Sequence, residues 1–269
     1  MPSRRITILA LLLIGCVLTA TLFVVTAADE RIAILPVGDS ITVGYMDNPY
    51  WNEPFSFGYR SRLFKMLTDH GCRVKFVGNS AEPWRSNYGT PKSVTGLDLR
   101  SLNQDHHRGY DGWRLERLSR WLPLWLLLDR PNVILLMAGI NDMRRGAADN
   151  PVTAEAAMTE VIGTIRTWRP SAKLFVGTVT PYTVSTPAIA HFNRYIVDEL
   201  QPSFARDGYH FIVVDQFSPF VDPEGTVREE LFSNGLNHPS AVGYDKIAEA
   251  WFAAIKPAVC GGANAAAHD

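Results

Sequence analysis

The chain has 269 residues, a formal net charge of −1 and a charged fraction of 20%, so it lacks the basic field on which nucleic-acid binding draws. With 46% hydrophobic residues it carries ample material for a packed core, which excludes a disordered polar chain. This length suits one large domain or two small ones.

The N-terminus departs from the average. MPSRR is positively charged, and ITILALLLIGCVLTATLFVVTAA follows without a charged residue. Residues 1–28 read as an export signal, with a small-residue cleavage site near Ala27 or Ala28. The run is also long enough to span a bilayer as an uncleaved anchor. A third reading is a lipoprotein, because LIGC (Leu13 to Cys16) resembles a bacterial lipobox.

RIAIL, followed by Pro36 and Gly38, reads as a buried parallel strand leaving its sheet. Ser40 in GDSIT then falls just beyond the carboxyl end of that strand, where ligands gather in open α/β sheets. Taken alone, Asp39, Ser40 and Thr42 also suit a turn and a helix cap. Further apolar runs follow in RVKFVG, NVILLMAG, KLFVGTVT and HFIVVDQF. Helical spacing covers Gly58 to His70, Leu115 to Leu128, Thr153 to Trp168, Ala188 to Arg206 and Ala241 to Ile255. Within these, SRWLPLWLLLD reads as a core helix leading into a strand. Alternating strands and helices imply a parallel sheet covered on both faces. The expected architecture is a single three-layer α/β/α sandwich of about five strands over residues 29–260, with a disordered Ala/Gly tail at 261–269.

From Ser80 to Gly112 there is no clear period, and structureless loops of that length are usually functional or mobile. Cleavage near Ala28 would leave Cys72 and Cys260, which follow the first and last helices. A disulfide between them and two separate thiols are both compatible with the sequence.

Four segments lie at strand ends or in the loops beyond them: Ser40 in GDSIT, Gly112 in GYDGW, Asn141 in AGIND and His238 in NGLNHPSAVGYD. A serine hydroxyl needs a base to take its proton, and histidine suits that task near neutral pH. Backbone N–H groups at a glycine turn and an asparagine amide are suitable donors to a tetrahedral oxyanion. These are the parts of an acyl-transfer site.

In combination and in this chain order, the four segments resemble the SGNH hydrolase superfamily, also called GDSL esterases/lipases. The resemblance implies a flavodoxin-like sheet, with Ser40 as nucleophile and His238 as general base. It implies an oxyanion hole from the N–H groups of Ser40 and Gly112 and the side chain of Asn141, with no metal or organic cofactor. One position departs from the family. Its members carry an aspartate three residues before the histidine, and here that position is Gly235. Asn234 stands in the acid's place, a backbone carbonyl is the other option, and Asp215 or Asp222 are more distant candidates.

Among other polar residues, Asp105, His106 and His107 read as a solvated loop rather than a metal site, and Asp39 and Asp142 as braces for loops. Trp51, Trp84 and Trp113 lie in or beside loops at the expected active face, where they suit either loop packing or a platform for sugar rings. The resemblance is nearest to SGNH carbohydrate esterases. It implies a secreted serine esterase removing short acyl groups, acetyl above all, from carbohydrate. The alternatives are a lipid-directed esterase or lysophospholipase, and a non-catalytic sugar-binding protein on the same fold. The expected partner is an acylated carbohydrate or another small ester. No nucleic acid or stable protein partner is implied, and a membrane only where the N-terminal segment stays attached.

Overall fold

The strands are near-continuous apolar runs because a parallel sheet with helices on both faces leaves few side chains toward water. The computed structural model describes residues 29–47, 52–54, 57–82, 97–143, 151–182, 186–233 and 237–260. The expected signal segment, the tail, Trp51, Trp84 and Asn234 lie outside the described residues. The chain divides into two units at Arg31; in the described end of the first, the Arg31 guanidinium pairs with Asp29 at 2.8 Å, and the second begins at Ile32.

In chain order its elements are β1 (Ile32–Gly38), α1 (Ser40–Val43), β2 (Tyr45–Asp47), β3 (Asn52–Pro54), α2 (Tyr59–Asp69), β4 (Val74–Phe76) and β5 (Arg108–Gly109). Then come α3 (Leu115–Asp129), β6 (Val133–Met137), α4 (Pro151–Trp168), β7 (Lys173–Gly177), α5 (Thr186–Arg194), α6 (Gln201–Arg206), β8 (Ile212–Val214) and α7 (Ala241–Val259). A π-helical stretch, Tyr195–Leu200, joins α5 to α6. Five strands run parallel in the order β4-β1-β6-β7-β8. This is the flavodoxin-like order, the α/β sandwich the sequence implied. The chain leaves β1 toward β4 and later leaves β6 toward β7, so consecutive connections diverge between β1 and β6. That divergence opens a crevice at the carboxyl ends of those two strands. Right-handed crossovers running both ways from it place helices on opposite faces. The helices α2 and α7 pack together, and α3 and α4 pack together, as the two outer layers.

Three features were not expected. The antiparallel hairpin β2–β3 follows the nucleophile helix directly, pairing Asp47 with Asn52. β5 lies beside the last residues of β1, past the point where β4 ends, with Gly38 opposite Gly109. Part of the Ser80–Gly112 loop is therefore ordered: Leu99 is buried, and the Gln104 Oε1 accepts from the Phe76 N–H at 2.8 Å. The SRWLPLWLLLD helix is only half core. Leu115, Leu118, Leu122, Trp125 and Leu126 are buried, whereas Trp121, Leu124, Leu127 and Leu128 are 44–63% exposed on the opposite face.

Cys72 and Cys260 form a disulfide across 188 positions, tying the end of α2 to the end of α7. In the loop-closure picture a bridge of that span stabilises by about 5 kcal/mol. Among the described residues, no helix is long and apolar enough to cross a membrane.

Candidate active site

At the end of β1 the chain turns sharply into α1. The Asp39 carboxylate accepts the Ile41 N–H at 3.0 Å and caps this helix. So short a helix satisfies few of its own carbonyls. The buried Arg60 guanidinium supplies donors from Nε to the Thr42 carbonyl at 3.0 Å and from Nη2 to the Val43 carbonyl at 3.1 Å. Burial pulls the Arg60 pKa down to about 10. Burial likewise pushes the Asp39 carboxyl up to about 7, despite the Ile41 N–H. These contacts fix Ser40, only 2% exposed, at the first position of α1 with its backbone N–H aimed out of the helix start.

The Ser40 Oγ lies 2.8 Å from Nε2 of His238. His238 comes from the loop before α7, which Ser240 caps by accepting the Gly243 N–H at 3.3 Å. Its other ring nitrogen, Nδ1, lies 2.6 Å from Oδ1 of Asp47. Asp47 is the third group of this chain, and the sequence reading missed it. Its Oδ2 accepts the N–H groups of Asn237 at 3.0 Å and His238 at 2.8 Å. Its own N–H donates to the Ser233 Oγ at 2.8 Å, and that hydroxyl donates to the His238 carbonyl at 3.0 Å. The hairpin and the histidine loop are thereby stitched together. Burial alone would raise the Asp47 pKa, but the bond and charge of His238, with the two N–H groups, hold it below the ordinary carboxylate value. The edge of the buried Tyr45 ring closes the other side of the imidazole, 6.4 Å between centroids.

Asp47 therefore fills the position that the sequence reading gave to Asn234, itself outside the described residues. The distant candidates are corrected. Asp215 accepts the N–H groups of Phe217 at 2.9 Å and Ser218 at 3.0 Å, and Asp222 accepts that of Thr226 at 2.7 Å. Both brace turns. The signal that could have found Asp47 is an acid in YMDN, straight after the nucleophile motif in an otherwise buried stretch.

Gly112 and Asn141 are linked through the turn that follows β5. β5 runs close beside α1, where a Cβ on Gly109 would sit 2.9 Å from the Val43 nitrogen and 3.0 Å from the Asp39 oxygen. The chain then turns through Tyr110–Trp113, closed by the Trp113 N–H to the Tyr110 carbonyl at 3.3 Å. Gly112 is in the left-handed region, φ +66°, which favours glycine. Asn141 sits in a 3₁₀ turn, Ile140–Asp142, at the end of β6. One of its two amide hydrogens goes to the Trp113 carbonyl at 3.0 Å, which leaves the other for a ligand. Among the described residues, the N–H groups of Ser40 and Gly112 have no acceptor. Asp142, as expected of a brace, receives the Leu115 N–H at 3.2 Å and so caps α3.

Trp113 is half-buried and held by two neighbours. Its indole stacks on Tyr110 at 4.1 Å, and the Arg117 guanidinium carbon lies 4.1 Å from the ring centroid. His107 is not a metal ligand in this arrangement: Nε2 donates to the Glu82 carbonyl at 3.0 Å, and Nδ1 accepts the Gly109 N–H at 2.9 Å. Burial, then the nearby Arg60 charge, holds its pKa well below 6.5. Among the described residues, no three His, Cys, Asp or Glu side chains gather as a metal site would need.

A carboxylate, an imidazole and a hydroxyl in series can activate the hydroxyl as a nucleophile. Comparison with known proteins points the same way. A Clostridium thermocellum family 3 carbohydrate esterase shares 27% identity and superposes with a TM-score of 0.62, over 83% of this chain and 94% of that one. An acetyl esterase shares the fold at 18% identity and a TM-score of 0.63, over 85% and 98% of the two chains. A multidomain esterase of Ruminococcus flavefaciens is 24% identical over 252 residues, 86% of this chain. The chain spans only 29% of that relative's length. Residues 37–246 match the GDSL-like Lipase/Acylhydrolase family, a stretch that holds Ser40, Asp47, Gly112, Asn141 and His238. The chain belongs to this family.

Proposed function

We propose that the protein is an exported serine esterase that removes short acyl groups, acetyl above all, from carbohydrate. The observation that carries the catalytic part is the unbroken series Asp47–His238–Ser40, at 2.6 and 2.8 Å. In this reading the Ser40 Oγ attacks the ester carbonyl while Nε2 of His238 takes its proton. The resulting oxyanion lies among the N–H groups of Ser40 and Gly112 and the free Asn141 amide hydrogen. Collapse breaks the bond to the sugar oxygen, which leaves with the proton held by His238. Water then gives a proton to His238 and attacks the acyl-enzyme, and a second collapse releases acetic acid and restores the Ser40 hydroxyl. Asp47 holds the proton on Nδ1 and stabilises the imidazolium that forms in each half.

The substrate class draws support from the likeness to a family 3 carbohydrate esterase. Export draws support from two features that suit an oxidising compartment, the Cys72–Cys260 bridge and the N-terminal apolar run. A lipid-directed esterase is the second reading, favoured by the exposed Trp121, Leu124, Leu127 and Leu128 of α3. Acetate release from acetylated xylan, measured beside p-nitrophenyl esters of rising chain length, separates the two. The proposal expects release from the glycan and kcat/KM falling from acetate to octanoate. A rising profile without glycan activity would replace it with the lipid reading.

A further inference from the structure

The β7–β8 side of the sheet holds a cavity of about 680 Å³ that the reaction does not use. Its lining comes from α5, the π-helical stretch Tyr195–Leu200, β8 and the loop after β8. Thr178 directly follows β7 and Asp215 directly follows β8, and both line it. The strands are parallel, so the cavity reaches the carboxyl edge of the sheet, the edge on which Ser40 lies. In the order β1-β6-β7-β8 it stands three strand spacings from β1, each of about 4.8 Å.

The lining combines two kinds of surface. Val197 is 42% and Ile212 50% exposed, and with the half-buried Phe217 they form its apolar part. The polar part includes Arg194 and Asp198, whose side chains have no hydrogen-bond or ion-pair partner among the described residues. On an α-helix, opposite charges four positions apart are neighbours. In this chain Lys65 and Asp69 pair that way at 2.6 Å, and Glu116 and Arg120 at 2.7 Å. Arg194 and Asp198 do not, because the winding between them is π-helical, bonded five positions apart rather than four. Such turns are rare and recur at functional sites. The inner side of this one is fixed, with the Tyr195 and Thr159 hydroxyls 2.9 Å apart and Ile196 and Leu200 buried. Across the cavity Phe217 is fixed too: its N–H reaches the Thr178 hydroxyl at 3.1 Å and the Asp215 carboxylate at 2.9 Å.

Two unpaired opposite charges beside an apolar surface narrow the ligand chemistry. A long acyl chain would cover the apolar part but strip water from both charges without replacing it. An anion would suit Arg194 but meet the carboxylates of Asp198 and Asp215. A neutral sugar ring satisfies all three demands. Its C–H face suits Phe217, Val197 and Ile212, while its hydroxyls accept from a guanidinium and donate to a carboxylate. We infer that this cavity is a binding subsite for the glycan chain, holding sugar units several rings away from the ester that Ser40 cleaves. The inference rests on the carbohydrate reading of the substrate. The cavity touches no reacting atom, so it contributes binding and no chemistry.

The test compares wild type with the double variant Arg194→Ala/Asp198→Ala on two substrates. One is acetylated xylan; the other is p-nitrophenyl acetate, too short to reach the cavity from Ser40. On acetylated xylan kcat/KM should fall by about 5- to 50-fold, since a hydrogen bond to a charged group is lost at each position. The loss should sit in KM with kcat within about twofold, as for binding shared by ground and transition states. On p-nitrophenyl acetate kcat/KM should stay within about twofold of wild type by the same argument. An unchanged kcat/KM on acetylated xylan, or an equal loss on both substrates, would overturn the inference. If the double variant does not fold, Val197→Trp narrows the cavity instead, and an unchanged kcat/KM on acetylated xylan there overturns it equally. Wild type tests the underlying reading. If it hydrolyses p-nitrophenyl acetate but releases no acetate from the xylan, the carbohydrate reading fails and the subsite with it. If wild type and variants release acetate alike, only the subsite fails.

Discussion

The two halves of the sheet end in contrasting ways. Beyond β7 and β8 a cavity of about 680 Å³ lies among Asn193, Arg194, Asp198, Asp215 and Phe217. It offers room and charge, but the Asp215 carboxylate is occupied by the N–H groups of Phe217 and Ser218, and the Asn193 amide by the backbone of Val179. None of Ser40, Asn141 or His238 lines it. Beyond β1 and β6 the polar groups instead point at one another in series, and among the described residues the N–H groups of Ser40 and Gly112 have no acceptor. Volume does not locate chemistry in this fold; unused hydrogen-bonding capacity at the switch point does.

That contrast can be broken by substitution. Ser40→Ala should abolish ester hydrolysis and leave circular dichroism unchanged, since the hydroxyl supports no packing. Retained activity in a folded variant would move the chemistry away from β1. Asn141→Ala should lower kcat by about 100-fold or more with a smaller change in KM, the signature of a lost oxyanion donor. A pure KM effect would make Asn141 a substrate-positioning group.

The two aspartates flanking the nucleophile should differ in pH behaviour. The folded pKa of Asp39 is raised to about 7, so its contribution to stability is complete below its ordinary value of 3.8 and is lost as pH rises toward 7. Asp47 is lowered, so its contribution is present above 3.8 and is lost as pH falls below that value. Urea unfolding should show Asp39→Asn gaining on wild type between pH 4 and pH 8. A constant difference across that range would mean that Asp39 ionises freely. The smallest effect belongs to the far end of the sheet. Asp215→Ala should leave kcat/KM within about twofold while losing ~1–2 kcal/mol from its turn. A large activity loss in folded protein would reverse the comparison between the two ends.

Much of this was legible in the sequence. The five main strands announced themselves as apolar runs, because burial on both faces leaves no alternation to obscure them. Ser40, Gly112, Asn141 and His238 were legible because each sits in a short motif at a strand end. Asp47 was not. It lies 191 positions from the histidine it serves, on a three-residue strand too short to carry a period. The resemblance pointed to the segment just before His238, with Asp215 and Asp222 as more distant candidates, all far along the chain from Asp47. The outer face of α3 misled for a related reason. Composition marks a helix as apolar, but only packing tells which side is covered.

The central claim is that the nucleophile's own hairpin, rather than the histidine loop, supplies the acid. The most direct measurement is kcat of Asp47→Asn on p-nitrophenyl acetate, with the wild-type fold verified by circular dichroism. An amide keeps the bulk of the side chain but removes the charge that stabilises the imidazolium and can favour the wrong tautomer, so a loss of about 100- to 10,000-fold is expected. A kcat within about fivefold of wild type would contradict the claim, since a group that close to a triad's effect in other serine hydrolases cannot be silent.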